Sequence, residues 1–102
     1  MNRKIDVCLS PSLIDNYESM GKIVIVADIF RATSCMAVAL AHGVKKIKPV
    51  SSLVECKQLQ DEGYIAAAER GGQKVDGFDL GNSPFHYMDE SLTDQTIAMT
   101  TT

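Results

Sequence analysis

Strand-like apolar runs alternate with helix-like segments along most of this chain, and this alternation limits the folds that the chain can adopt. Residues 23–27 form a continuous, mostly β-branched run, which is typical of a strand covered on both faces. Further strands are predicted at residues 44–50, 64–68 and 96–99. Because strand–helix–strand units connect parallel neighbours, we predict an α/β protein with a mainly parallel sheet.

Two helices are predicted between these strands from apolar spacing and from end signals. Apolar residues recur at helical spacing from Ala32 to Leu40, and Gly43 then offers a left-handed stop. Ser52 and Glu55 match the capping box, in which each side chain satisfies the other residue's backbone N–H. The second helix therefore begins at this pair.

A third helix is predicted after the irregular stretch that separates residue 68 from Pro84. Ser83 is its expected cap, and Pro84 is its expected first residue, a position that proline favours. The expected buried stripe of this helix consists of Phe85, Met88 and Leu92. Near the start of the chain, residues 5–9 alternate like a partly exposed strand, and residues 13–20 are ambiguous between a loop and a short helical turn.

The length of 102 residues suits a single α/β domain, residues 1–102, or part of a larger protein. Hydrophobic residues make up 45% of the chain and charged residues 23%, and this balance argues against disorder. The last predicted strand runs directly into three threonines without a closing turn. We therefore expect further chain to follow in the natural protein.

The charge and cysteine content exclude several classes of partner and site. A net charge of −3 argues against nucleic acid, for which a basic patch is needed. Asp6 interrupts the first apolar residues and no run could cross a membrane, so we expect a cytoplasmic protein. The three cysteines are widely spaced with no CxxC pair, so we expect neither a disulfide nor a zinc site, with Cys35 and Cys56 in the core.

Acids, arginines and hydroxyls follow three of the four buried strands, at the points where the strands end. In an open parallel sheet these ends share one edge, and ligands bind beyond it. The residues in question are Asp28 and Arg31 after the first run, Glu69, Arg70, Gly71 and Gly72 after the third, and Thr100, Thr101 and Thr102 after the fourth.

These residue types suit a phosphate-binding site. Carboxylates hold Mg²⁺, a hard ion that prefers oxygen, and arginine presents a planar fork to phosphate or sulfonate oxygens. Adjacent glycines let backbone N–H groups approach an oxyanion, and helix starts near Thr33 and Ser83 add positive dipole ends. Either an aspartate or a metal-bound water could then attack the phosphorus, and the residues leave these alternatives open.

Each of these residues also has a plain structural interpretation. Asp28 by itself is more typical of a helix cap, the arginines of surface ion pairs, and paired glycines of an ordinary turn. Aspartyl-phosphate phosphatases of the haloacid dehalogenase type carry a second acid two residues after the first, where this chain has Phe30. The Cys-x5-Arg pattern of cysteine phosphatases is absent.

Four motifs in this order resemble the 2-phosphosulfolactate phosphatase family. They are VADIFRATS at 26–34, AERGG at 68–72, GFDLGNSP at 77–84 and the final TTT. The resemblance implies a three-layer α/β/α fold and magnesium-dependent hydrolysis of 2-phosphosulfolactate to sulfolactate and phosphate, a step of coenzyme M biosynthesis. It also implies that the family extends beyond this chain, so part of the pocket is expected elsewhere.

The resemblance marks the motif positions, and the chemistry of the residues there gives their expected roles around one cavity. The catalytic and metal candidates are Asp28, Glu69 and Asp79. The substrate-binding candidates are Arg31, Thr33, Arg70, Gly71, Gly72, Asn82, Ser83, Thr100 and Thr101. The expected partner is a small anion carrying phosphate and sulfonate, and an incomplete sheet edge makes a homo-oligomer a further expectation. The alternative is a non-catalytic anion-binding or structural α/β module.

Overall fold

Two α-helices, four strands and three short 3₁₀ helices make up the regular structure of residues 2–102. A computed structural model describes residues 2–102. The elements are α1 (Ala32–Ala41), β1 (Lys46–Pro49), α2 (Leu53–Asp61), β2 (Ile65–Arg70), β3 (Gln73–Lys74) and β4 (Thr96–Thr100), with 3₁₀ helices at Pro11–Asn16, Pro84–Met88 and Glu90–Leu92. None of the helices within residues 2–102 is long and apolar enough to cross a membrane.

The four strands form one sheet in the order β1-β4-β2-β3. β4 runs parallel to both of its neighbours, and Ile97 is the register partner of Ile47 on one side and of Ile65 on the other. Only the short β3 is antiparallel to its partner, β2. The predicted α/β class with a mainly parallel sheet is therefore confirmed.

Helical layers cover both faces of the sheet because successive side chains in a strand point to opposite sides. Ala67, Ile97 and Met99 pack on one face in a cluster with Cys35 and Ala39 of α1 and with Tyr87 and Leu92. On the other face, Ala66 and Ala98 pack against Cys56 and Leu59 of α2. Both cysteines are buried as predicted, and this burial raises the pKa of each thiol.

The ends of α1 and α2 follow the predicted signals. Gly43 has a φ of 95°, a left-handed conformation that costs glycine little, and it directly follows His42, the C-cap of α1. At the start of α2, the Ser52 hydroxyl accepts a hydrogen bond from the Glu55 backbone N–H at 3.1 Å. One half of the predicted capping box is therefore present.

Both helices begin at the edge of the sheet where the parallel strands end. The loop after α1 lies beside the start of β4, because the Gly43 carbonyl accepts from the Asp94 N–H at 2.8 Å. A ten-residue helix is about 15 Å long, so the start of α1 reaches the opposite, carboxyl edge. Val50 donates to the Met99 carbonyl at 2.9 Å, which places the start of α2 at that same edge.

The strands predicted at residues 5–9 and 23–27 are wrong. Both segments are irregular, and their large apolar side chains are exposed to solvent. A β-branched run becomes a strand only when a neighbouring strand supplies hydrogen bonds and apolar layers cover it, and residues 2–102 supply neither to these segments. The ambiguous segment at 13–20 is partly the 3₁₀ helix Pro11–Asn16.

The third predicted helix is also wrong, because the structure has two short 3₁₀ helices in its place. The narrower 3₁₀ turn changes which side chains face the core. Phe85 is 78% exposed and Met88 is half-exposed, whereas Tyr87 is fully buried and donates its hydroxyl to the Gly81 carbonyl at 2.5 Å. Of the expected stripe, only Leu92 is buried.

Candidate functional site

β2 and β4 end side by side, and their last residues form a cluster at the carboxyl edge of the sheet. Ala68 and Thr100 are register partners in the parallel pair. Continuing this register places Glu69 beside Thr101 and Arg70 beside Thr102. Because side chains alternate between faces, Glu69 and Thr101 share the α1 face. We call Glu69, Arg70, the two following glycines and the three terminal threonines the carboxyl-edge cluster.

Glu69 is the most highly connected side chain of the carboxyl-edge cluster and is only 6% exposed. Its carboxylate accepts hydrogen bonds from the Thr101 hydroxyl at 2.6 Å and from the Gly72 backbone N–H at 2.5 Å. The Thr102 backbone N–H donates to Oε2 of the carboxylate at 3.3 Å. The Thr102 hydroxyl lies 3.1 Å from each of the two carboxylate oxygens. One carboxylate thus joins the end of β4 to the turn after β2.

These hydrogen bonds keep Glu69 ionised. The Thr101 hydroxyl, followed by the Gly72 N–H, lowers the pKa of Glu69 from 4.5 to about 2, against the opposing effect of burial. A general base works best with a pKa near the working pH, so this carboxylate is a weak base at neutral pH. Its acceptor positions are also occupied, which fits a role in holding neighbouring donors in place.

Arg70 points a partly free guanidinium group toward the same edge. One terminal nitrogen donates to the Glu69 carbonyl at 2.6 Å, and the other donates to the Thr100 hydroxyl at 2.9 Å. Both acceptors are uncharged, and the guanidinium has five N–H donors in total. The ion pairs found within residues 2–102 involve other side chains, Lys4 with Asp6 and Lys57 with Asp61. Arg70 therefore has donors and charge available for an anion.

Gly71 and Gly72 form the two-residue turn between β2 and β3, which pairs Arg70 with Gln73. Their φ angles are 60° and 82°, and a turn with positive φ at both central residues favours two glycines. This hairpin was not predicted from the sequence, although a glycine pair between strand-like residues is a pattern that indicates such a turn. The turn brings the Gly72 N–H onto the Glu69 carboxylate.

Asp28 closes the turn that precedes α1. Its backbone N–H donates to the Thr33 hydroxyl at 2.9 Å, and its carboxylate accepts from the Ala32 N–H at 3.3 Å. The N-cap position of α1 is Arg31 rather than Asp28, so the Asp28 carboxylate bonds the first N–H of the helix from outside the cap position. Arg31 is half-buried at the N-cap position of α1. α1 begins toward the carboxyl edge, but no hydrogen bond or ion pair within residues 2–102 joins Asp28 or Arg31 to the carboxyl-edge cluster.

Asp79 lies near the other end of β2. Its carboxylate accepts from the Ala66 backbone N–H at 2.9 Å and from the Gln60 side-chain amide at 3.1 Å. Ala66 and Glu69 are three residues apart, about 10 Å along a strand. Asp79 instead lines a shallow cleft of about 550 Å³ that includes Lys74 and His86. The structure does not bring Asp79 together with Glu69.

The rest of the GFDLGNSP segment runs along the open edge of β2. Leu80 forms a parallel bridge with Ala67, and Gly81 lies so close to Lys74 that an added Cβ would sit 2.9 Å from the lysine Cβ. Asn82 is buried, and Ser83 precedes the 3₁₀ helix without a side-chain cap bond. In this part of the chain, the motif is mainly structural.

The carboxylates of the described residues do not assemble a metal site on their own. No group of three or more His, Cys, Asp or Glu side chains is arranged to hold an ion within residues 2–102. Glu69 is saturated by hydroxyl and amide donors, and Asp79 is occupied at the far end of β2. The donor set found here therefore does not fit Mg²⁺ without further ligands.

Comparison with known proteins identifies the family. The family described as 2-phosphosulpholactate phosphatase matches residues 8–102. This chain belongs to the 2-phosphosulfolactate phosphatase family. The matched range includes the whole carboxyl-edge cluster and the turn at Asp28.

Curated relatives from several bacteria are similar to the chain over most of its length. A "Probable 2-phosphosulfolactate phosphatase" of Carboxydothermus hydrogenoformans is 46% identical over an alignment of length 101 that covers 97% of this chain and 41% of the relative. A protein of the same name from Clostridium beijerinckii is 40% identical and covers 97% and 43%. The chain thus spans less than half the length of these relatives.

Proposed function

We propose that this chain forms the oxyanion-binding part of a phosphoric monoester hydrolase that converts 2-phosphosulfolactate to sulfolactate and inorganic phosphate. The observation that carries the proposal is the position of Arg70, held between the Glu69 carbonyl and the Thr100 hydroxyl at the carboxyl edge. The names of the relatives support the same activity.

The proposed substrate has two anionic groups, and the carboxyl edge offers donors suited to them. The planar guanidinium of Arg70 matches the oxygens of a phosphate or a sulfonate in a two-pronged geometry. Arg31 lies at the start of α1, where the helix dipole also favours negative charge. We assign Arg70 to one anionic group and the start of α1, with Arg31 and Thr33, to the other.

Glu69 serves as a positioning residue in this proposal. It fixes Thr101, Thr102 and the Gly72 turn on either side of Arg70 through hydrogen bonds. Of the three carboxylates predicted as catalytic or metal-binding, Asp28 is the one that lies at the carboxyl edge with its carboxylate held by a single long contact of 3.3 Å. We therefore favour Asp28 over Glu69 and Asp79 for contact with the substrate.

Magnesium dependence, the coenzyme M pathway and a cytoplasmic location are included in the proposal on the strength of the family resemblance. The residues described here hold no complete Mg²⁺ site, so further ligands would have to come from substrate, water or additional chain. We derive no catalytic step through the metal.

The test is release of inorganic phosphate from 2-phosphosulfolactate by the full-length Carboxydothermus hydrogenoformans relative. We expect turnover that chelation of divalent cations abolishes and added Mg²⁺ restores. The matched substrate control is 2-phospholactate, which lacks the sulfonate and should be hydrolysed less efficiently. Absence of phosphate release from 2-phosphosulfolactate in Mg²⁺ would overturn the proposed activity.

A non-catalytic anion-binding module is the second candidate, and the saturated Glu69 carboxylate favours it for the isolated chain. The two candidates differ in a direct assay on the 102 residues. Saturable phosphate binding without hydrolysis would support the module, whereas hydrolysis by the chain alone would exclude it.

A further inference from the structure

The segment 23–30 exposes more large apolar side chains than any element of the sheet. Ile23 is 95% exposed, Ile25 86% and Val26 76%, and Ile29 and Phe30 are exposed as well. In an extended run, Ile23 and Ile25 point to one face and Val26 to the other. Both faces of this segment are therefore apolar and uncovered in the part of the chain that the structure describes.

The backbone of the same segment is available for pairing. Residues 23–27 contain neither proline nor charge, and their N–H and C=O groups form no hydrogen bond within residues 2–102. An unpaired strand edge with apolar side chains on both faces is suited to the interior of a parallel sheet.

The exposed run is attached to the folded body by a rigid turn. The Thr33 N–H donates to the Asp28 carbonyl at 3.0 Å, and the Ser34 hydroxyl donates to the Ile29 carbonyl at 2.6 Å. α1 itself is anchored in the core through Cys35 and Ala39. The segment therefore leaves α1 in a defined direction.

The relatives suggest what covers this segment. The chain accounts for 41% and 43% of the two relatives described above, so more than half of each has no counterpart in these 102 residues. A strand with two apolar faces needs neighbours and two covering layers, and the extra polypeptide of the relatives is long enough to provide them.

We infer that residues 23–30 form an interaction segment that pairs as a strand with the additional polypeptide carried by the longer members of the family. The partner is an open, apolar strand edge flanked by apolar layers. Because Asp28 and Arg31 directly follow this run, docking would also place the partner next to the start of α1. The inference concerns assembly and does not depend on phosphatase activity.

Hydrogen exchange tests this inference without an activity readout. In the 102-residue chain at low micromolar concentration, we expect the amides of residues 23–27 to exchange at the rates of an unstructured peptide. In the full-length Carboxydothermus hydrogenoformans relative, we expect the aligned amides to exchange at least about 100-fold more slowly, because strand hydrogen bonds protect them. Unprotected aligned amides in the full-length protein would overturn the inference.

A charge substitution adds a second test of the same contact. Lysine at the position of the full-length relative aligned with Ile25 should lower the thermal midpoint, because it buries a charge in the docked strand. Lysine at the position aligned with Val54, an exposed apolar residue of α2, is the matched control and should leave the midpoint unchanged. Equal midpoints for both variants and the parent would contradict docking.

A second copy of this chain is the competing occupant. Sedimentation velocity of the 102-residue chain, combined with hydrogen exchange, distinguishes pairing with a second copy from pairing with the additional polypeptide. We expect residues 23–27 to remain unprotected as concentration rises to the millimolar range. A concentration-dependent dimer with protected amides at 23–27 would overturn the assignment to the additional polypeptide.

Discussion

Two adjacent residues, Glu69 and Arg70, differ in how completely their charged groups are hydrogen-bonded, and we assign them different roles on that ground. The carboxylate of Glu69 is buried and surrounded by hydroxyl and amide donors, so it organises the cluster. The hydrogen bonds of the Arg70 guanidinium within residues 2–102 go to two neutral acceptors, the Glu69 carbonyl and the Thr100 hydroxyl. Charge alone could not separate these roles in the sequence, because both residues follow the same strand.

Replacing Glu69 by glutamine should destabilise the 102-residue chain. The amide keeps the shape, but its NH₂ group faces donors such as the Gly72 N–H and the threonine hydroxyls. We expect the free energy of unfolding to fall by roughly 1–3 kcal/mol, the usual cost of leaving buried donors unpaired. Urea denaturation at pH 7 measures the change. Glu18→Gln, at an exposed position, is the matched control, and equal losses for both variants would contradict the role of Glu69.

The stability that Glu69 contributes should also depend on pH. Its folded pKa of about 2 lies below the ordinary value of 4.5, so the unfolded chain binds this proton more readily than the folded chain. The contribution is complete above pH 4.5 and is lost as the pH falls toward 2. Urea denaturation between pH 7 and pH 3 should therefore show the wild-type chain and Glu69→Gln converging as pH falls. A difference that stays constant over this range would contradict the lowered pKa.

At the scale of elements, sequence patterns correctly predicted the helices and strands whose packing partners lie within the chain itself. α1, α2, β1, β2 and β4 were all predicted, because their apolar faces pack against one another within residues 2–102. The run at 23–27 was mispredicted because strand formation depends on a pairing partner that a local pattern does not contain. The 3₁₀ helices were mistaken for one α-helix because a proline start is compatible with both.

The position of Asp79 leads to a prediction about β2. Its carboxylate accepts from Ala66 at the start of this strand and from Gln60 of α2. Asp79→Ala should therefore lower the free energy of unfolding by roughly 0.5–1.5 kcal/mol, the usual net contribution of a hydrogen bond, because it removes the acceptor of the Ala66 N–H. Asp76→Ala, at an equally exposed site in the same loop whose side chain makes no hydrogen bond within residues 2–102, should change it by less than about 0.5 kcal/mol. Thermal or urea denaturation of both variants measures this difference, and an unchanged stability for Asp79→Ala would contradict the structural role.

At the scale of the whole molecule, the sequence predicted which residues gather at the carboxyl edge of the sheet. It did not predict that Asp79 lies away from them. The rule that ligands bind beyond the carboxyl ends of parallel strands correctly indicated where Glu69, Arg70 and the threonines would gather. The rule does not apply to Asp79, whose loop runs back along β2 and delivers the carboxylate to the start of the strand. Gln60 was missed as a participant because its contact with Asp79 depends on this loop path.

The most direct test of the anion site is an NMR titration of the 102-residue chain with inorganic phosphate at pH 7. We predict saturable shifts of the backbone amides of Gly71, Gly72, Thr101 and Thr102. These shifts should disappear in Arg70→Ala and persist in Arg3→Ala, an exposed control with the same change of charge. Shifts that are absent in the wild-type chain, or that persist in Arg70→Ala, would contradict the assignment of the carboxyl-edge cluster as the oxyanion site.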